Sequence, residues 1–340
     1  MRNLALLSIF VFPSAAQTSP PAVSGEIQAL LDAHNYPKAE LAIQQKLSTS
    51  PPWERGYVLL AQIYNATARY ALAEHSGLAA VRLRESVDAF LVLAVATMNL
   101  RKLNESIDWL EKAAKWQPRN PEIYRLLGLD YALGGMLRES EEAFRQGLEL
   151  APDNWELHYF DGRALYELEN FSGSEKAFQR AIERNPRSVK AWTALGQVKD
   201  RLGDAASSEQ CYQKAVNLCG AASSDCAWPL LELGVVASRQ AGEQDAERYF
   251  RRAVEARPDW AKPHFYLGKT LATMGQLDAA RAQLEDAVRI EPDQSQHQYQ
   301  LSQIYRRLGD PKKSERHLAR YRELAGLEAS GKTSSVLNVP

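Results

Sequence analysis

A 34-residue period runs from Val87 to Ala222 and, after a four-residue slip, resumes from Ala227 to Glu328. Self-similarity of this kind restricts the chain to one supersecondary unit copied in tandem, because such a unit buries its apolar face only against its neighbours. Segments beginning at Pro121, Trp155, Val189, Ala227 and Ala261 align Gly128, Gly162, Gly196, Gly234 and Gly268 in one column. Twelve residues later stand Ser140, Ser174, Ser208, Ala246 and Ala280, followed by a bulky column of Phe144, Phe178, Tyr212, Phe250 and Leu284. Small residues return at Gly147, Ala181, Ala215, Ala253 and Ala287, and the units end at Pro152, Pro186, Gly220, Pro258 and Pro292.

Each unit carries two apolar stripes at helical spacing, split by a turn at Gly135, Gly203, Gly275 or Gly309, and therefore reads as helix, turn, helix. Tyr124, Leu127, Gly128 and Tyr131 share one side of the first helix. The missing side chain at Gly128 lets the second helix come close, so a larger residue there overpacks the junction by about 1–3 kcal/mol. Proline stops each second helix, having no N–H and clashing with the preceding turn.

These columns resemble the tetratricopeptide repeat, whose pattern places aromatic, Leu-Gly, Tyr, Ala, Phe, Ala and Pro at the same offsets. The resemblance covers residues 20 to 328 as nine hairpins, starting near 20, 54, 87, 121, 155, 189, 227, 261 and 295. It implies an all-α fold, an α-solenoid of tandem antiparallel helix hairpins in a right-handed superhelix, with first helices lining a concave groove. The expected organisation is a leader over 1–16, a linker over 17–23, degenerate hairpins over 24–86, four repeats over 87–222, three over 227–328 and a tail over 329–340. Ser302 for glycine and Tyr321 at a small-residue position set the last hairpin apart.

With 41 basic and 42 acidic residues and 45% hydrophobic content, the chain reads as globular, and its charge indicates no wholesale nucleic-acid binding. Arg2, the apolar run Leu4 to Phe12, Pro13 and Ser14-Ala15-Ala16 read as a secretory signal cut before Gln17, too short to span a bilayer. Export makes a disulfide admissible. Cys219 and Cys226 flank the register slip and are either bridged or two unpaired small residues at helix ends, while Cys211 is a packing residue.

Catalytic chemistry finds no constellation. Gly326 to Thr333 fits the phosphate-loop pattern letter for letter, but a helix precedes it where a strand is required, and Gly326 reads as the terminator of the ninth repeat. His34, His75, His158, His264, His297 and His317 are scattered over different repeats, with His158 and His264 in the aromatic packing column. Neither metal nor cofactor is expected.

With positions 4, 7, 8 and 11 of a first helix on the core, positions 2, 5, 9 and 12 form a separate stripe expected to line the groove, read out here at 5, 9 and 12. The candidate partner-binding residues on that stripe are Arg125, Tyr159, Arg163, Tyr166, Gln197, Phe265, Lys269, Tyr299, Gln303 and Arg306. Their cations and aromatic rings suit an extended, partly acidic peptide. A second expected contact is apolar: the helix Phe90 to Met98 is hydrophobic all round, so Leu91, Val95 and Met98 need cover from a partner, a second copy or this chain's own N-terminal repeats. The functional expectation is a non-enzymatic protein–protein interaction scaffold of the cell envelope, periplasmic or secreted. The alternative is a carbohydrate-binding or polysaccharide-export accessory module.

Overall fold

The computed structural model describes residues 25–49, 53–220 and 223–329. The expected leader, the linker and the tail from 330 lie outside them. The chain divides into two compact units at Glu169 and Asn170, inside the run that the period alone groups as 87–222.

The described part of the first unit comprises α1 (Gly25–Asp32), α2 (Tyr36–Thr49), α3 (Glu54–Ala66), α4 (Tyr70–Leu83), α5 (Val87–Asn99), α6 (Leu103–Trp116), α7 (Pro121–Leu133), α8 (Leu137–Leu150) and α9 (Trp155–Glu167). The second holds α10 (Phe171–Arg184), α11 (Val189–Arg201), α12 (Ala205–Leu218), α13 (Ala227–Arg239), α14 (Glu243–Ala256), α15 (Ala261–Thr273), α16 (Leu277–Ile290), α17 (Ser295–Arg307) and α18 (Pro311–Ala329), with a 3-10 turn at Ser224–Cys226. The described residues contain helices and no strand. From α3 onward every first helix begins where the repeat register begins, and residues are numbered below by position in the repeat, that first residue being position 1.

The column of glycines meets the column of bulky residues directly. A Cβ on Gly128 would stand 2.4 Å from the Phe144 ring, on Gly196 2.5 Å from Tyr212, on Gly234 2.4 Å from Phe250 and on Gly268 2.7 Å from Leu284. Real Cβ atoms do not approach so closely, so positions 8 and 24 specify each other. The small column at position 20 adds a polar lock: Ser106, Ser140 and Ser314 donate their hydroxyls to the carbonyls of Ala94, Gly128 and Ser302 at 2.8–2.9 Å.

Every hairpin turn passes through one left-handed residue. Gly135, Gly203, Gly275 and Gly309 hold φ of 76–81°, and the equivalent sites elsewhere are His34, Ala68, Arg101, Glu169 and Ala241, with φ of 53–63°. The next amide bonds back to the helix, as in Met136 N to Tyr131 O and Gly242 N to Ala237 O, each a Schellman closure.

The hairpins are also tied to the loops before them. At position 4, Tyr124 Oη, His158 Nε2, Trp192 Nε1, His264 Nε2 and Gln298 Nε2 lie 2.8–3.0 Å from the carbonyls of Pro118, Pro152, Pro186, Pro258 and Pro292. A carbonyl only accepts, so both histidines donate from Nε2. What looked in the sequence like an aromatic packing column is a column of N–H and O–H donors at fixed reach. At α13 the position is Leu230, which has no donor, and there Cys219 and Cys226 form a disulfide.

One open expectation resolves, to cover by this chain's own repeats, and another changes. Leu91, Val95 and Met98 are 4%, 4% and 0% exposed, because α5 is enclosed by α3, α4, α6 and α7 of its own unit. The all-round apolar helix is therefore the core of the first unit and offers no patch to a partner. Gly326 does not terminate the last repeat: α18 runs through it to Ala329, and at 19 residues is longer than the 14-residue second helices before it.

A candidate partner-binding face on the first helices

Within each unit the first helices touch one another, α5 with α7, α13 with α15 and α15 with α17, while each second helix packs on the first helix of the next hairpin. Within each unit the first helices thus share a face. Which of its side chains remain open decides what it can bind.

Position 5 is closed on the first helices from α3 to α15 and open at Tyr299 of α17, which is 39% exposed. Arg125, Tyr159, Thr193, Leu231 and Phe265 are all between 0% and 8% exposed. The helical-wheel argument placed this position in the groove, but it faces the neighbouring hairpin: Phe265 of α15 lies 4.9 Å, ring to ring, from His297 of α17. Burial holds the His297 pKa below its ordinary value, as suits a neutral packing residue. Arg125 is consumed by Glu122, with Nη2 and Nε 2.5 and 2.7 Å from the two carboxylate oxygens. Tyr159 stacks edge-on against Phe160, and its hydroxyl accepts from Arg163 at 3.4 Å.

Positions 2, 9 and 13 are the more open ones. Arg163, Gln197 and Gln303 are half-buried at position 9, whereas Lys269 is exposed. Gln197 hydrogen-bonds Glu232, whose own pKa is raised by burial although Lys262 lies near enough to oppose the shift. At position 12 Tyr166 is half-buried and Arg306 exposed, its guanidinium donating to Gln303 Oε1. Arg239 at position 13 pairs with Asp200 at 2.5 Å, and Arg307 donates to the Ala272 carbonyl at 3.1 Å, so these arginines fasten successive first helices together. At position 2 the Trp228 ring stacks on Trp260 at 5.2 Å, with Lys262 Nζ 5.2 Å from its centroid.

In the second unit the stripe is indented. A cleft of about 350 Å³ is lined by Phe265, Tyr266, Lys269, Gln296, Tyr299, Gln300 and Tyr321. Three of these were read from the sequence; Gln296 lies at position 2 of the expected stripe but was not read out, Tyr266 and Gln300 lie at position 6 beside it, and Tyr321 comes from a second helix. Its ring sits 5.1 Å from that of Tyr299.

One buried group lies away from this face. Asp130, at position 10 of α7, has no exposed surface and lies 2.5 Å from Ser106 Oγ, while its Oδ1 has no partner. Burial pushes its pKa up to about 7. Ser106 Oγ carries one proton and reaches two acceptors, the Ala94 carbonyl and Asp130 Oδ2; a protonated Asp130 donates to Ser106 Oγ and frees that proton for Ala94, the bond its equivalents Ser140 and Ser314 make. Burial also raises the Cys211 thiol to about 11, which makes it an unreactive packing group. Among the described residues no cluster of His, Cys, Asp and Glu is arranged to hold a metal ion, and no helix is long and apolar enough to cross a membrane.

Family models described as tetratricopeptide repeat match residues 87–120, 187–259 and 243–304. Among solved structures, the APC/C hetero-tetramer Cut9–Hcn1 is similar over 91% of this chain and 60% of its own, at a TM-score of 0.58 and 15% identity. MamA is similar over 50% of this chain and 96% of its own, with TM-score 0.43 and 20% identity. YrrB, described as a TPR protein with an unusual peptide-binding site, is similar over 56% of this chain and 99% of its own, with TM-score 0.43 and 20% identity. At such identities the likeness speaks for the fold alone. No curated protein matches the sequence.

Proposed function

We propose, from the premise that residues 87–120 and 187–304 are tetratricopeptide repeats, that this chain is a non-enzymatic scaffold that holds a protein partner on its row of first helices. The observation that carries this reading is the composition of the open positions in the second unit. Lys190, Trp228, Lys262 and Lys269 present charge and ring surface there. Arginine, tryptophan and tyrosine side chains on a rigid face are the groups that dominate protein recognition.

The scaffold is exported in this proposal. A leader-like N-terminus supports it, and so does the Cys219–Cys226 bridge, since structural disulfides persist in oxidising compartments and are rare in the cytosol. A periplasmic or secreted site of action in the cell envelope follows from export together with the absence of a membrane-crossing helix among the described residues. The rival reading, a polysaccharide-binding accessory, rests on the same aromatic rings.

Capture from the envelope fraction of the native host tests the proposal, with a Lys190→Glu, Trp228→Ala control. A polypeptide held by the wild type and released by the control supports the scaffold reading. Equal recovery on both would remove the first-helix face from consideration, and recovery in the cytosolic fraction only would sink the export reading.

A further inference from the structure

We infer that the cleft between α15, α17 and α18 is an anchor pocket for an extended acidic peptide segment bearing an aromatic side chain next to a carboxylate. This rests on the scaffold reading and specifies one site within it.

Shape comes first. A volume of about 350 Å³ admits one or two side chains and no folded element. Its walls are rings: Phe265, 8% exposed, forms the floor, Tyr266 is held against Phe250 at 5.5 Å, and Tyr299 and Tyr321 tilt together at the rim. An aromatic guest finds ring faces and edges on several sides, the arrangement in which aromatic pairs contribute beyond their buried area.

Charge selects the guest. Lys269 Nζ stands 5.5 Å from the Phe265 centroid and 5.9 Å from that of Tyr266, fixed over the mouth, and among the described residues it makes no ion pair. No carboxylate lines the cleft. The two first helices that build it, AKPHFYLGKTLAT and SQHQYQLSQIYRR, contain Lys262, Lys269, Arg306 and Arg307 and no acidic residue, in a chain with slightly more acids than bases. An aromatic cage of this kind could hold a cationic ligand, but Lys269 repels one and attracts a carboxylate.

Unused polar atoms complete the site. Gln296, Gln300 and the hydroxyls of Tyr299 and Tyr321 have no hydrogen-bond partner among the described residues. Other glutamines of the second unit work internally, as Gln298 does for Pro292 and Gln197 for Glu232. Two amides and two hydroxyls around an apolar cleft are suited to the backbone N–H and C=O groups of an extended segment.

The test selects a phage library of random linear peptides on the full chain and measures the enriched segments by fluorescence anisotropy on variants whose helical content and melting match the wild type. Enrichment of an aromatic residue beside Asp or Glu is expected, with binding weakened about tenfold or more by Tyr321→Ala and by Lys269→Glu and retained by Lys269→Arg, since loss of one anchor contact is typically worth a decade or more in affinity. Lys269 is exposed, so its variants leave the fold untouched. Enrichment of basic or uncharged segments overturns the inference, as does an empty selection. Segments insensitive to Tyr321→Ala and Lys269→Glu but weakened by Trp228→Ala would remove the cleft and leave the scaffold reading standing. Maltohexaose binding that Tyr321→Ala abolishes, with no peptide selected, would assign the cleft to sugar instead.

Discussion

Replacing Asp130 by Asn reverses the pH dependence of stability that this carboxyl imposes on the first unit. In the folded chain its pKa is raised from the ordinary 3.8 to about 7 by burial. The unfolded chain therefore releases this proton first, the folded state binds more protons between about pH 4 and pH 7, and stability falls as pH rises through that window. A difference of about three pKa units corresponds to roughly 4 kcal/mol at full ionisation. Asparagine keeps the shape and can donate to Ser106 Oγ as the protonated acid does, but it never pays the cost of ionising. Urea unfolding of the full chain followed by circular dichroism, with hydrogen exchange reporting on α7, should give near-equal stability for wild type and Asp130→Asn at about pH 4, and an advantage for the variant of several kcal/mol at about pH 8. A deficit of more than about 1 kcal/mol at both pH values would refute the reasoning, because it would mean that the charged carboxylate has a partner that the amide cannot satisfy.

The other predictions concern the repeat's connections. Trp192→Phe removes the donor to the Pro186 carbonyl and should cost about 1 kcal/mol in thermal or urea unfolding of the second unit, whereas an unchanged midpoint would show that water serves that carbonyl equally well. Ala241→Gly relieves a left-handed alanine and should stabilise by about 0.5–1 kcal/mol, while Gly275→Ala at the equivalent turn should destabilise by a similar amount. If both substitutions move the melting temperature in the same direction, the turn argument fails. Reducing Cys219–Cys226, or replacing both residues by Ser, opens a loop of seven-residue separation and should lower stability by about 2–3 kcal/mol, read as a shift in urea midpoint with and without reductant.

The architecture was legible wherever one residue's identity is set by one neighbour. Gly128 faces Phe144 and Gly234 faces Phe250, and each pair stands sixteen residues apart in every copy, so alignment alone exposes it. Features satisfied by several residue types were not legible. Tyr, His, Trp and Gln all deliver an N–H or O–H to the proline carbonyl, and a column holding all four resembles mere tolerance. Ala68 and Ala241 adopt the backbone that Gly135 adopts without the sequence marking them. Position 5 was assigned to the open face because a helical wheel locates a core but not the neighbouring hairpin: it packs sideways, as Phe265 does on His297, and opens at Tyr299. Tyr321 escaped because a repeat-based argument looks for groove residues on first helices alone.

The position 4 ties also govern how the second unit carries load. A pull along the row of hairpins passes through each junction, where helix packing is backed by a single hydrogen bond from Trp192, His264 or Gln298 to the loop before it. At α13 that bond is missing, because Leu230 has no donor, and the Cys219–Cys226 bridge supplies a covalent link in its place. Oxidised, the junction most prone to yield becomes one that can transmit tension from a held partner; reduced, it is where the row gives first.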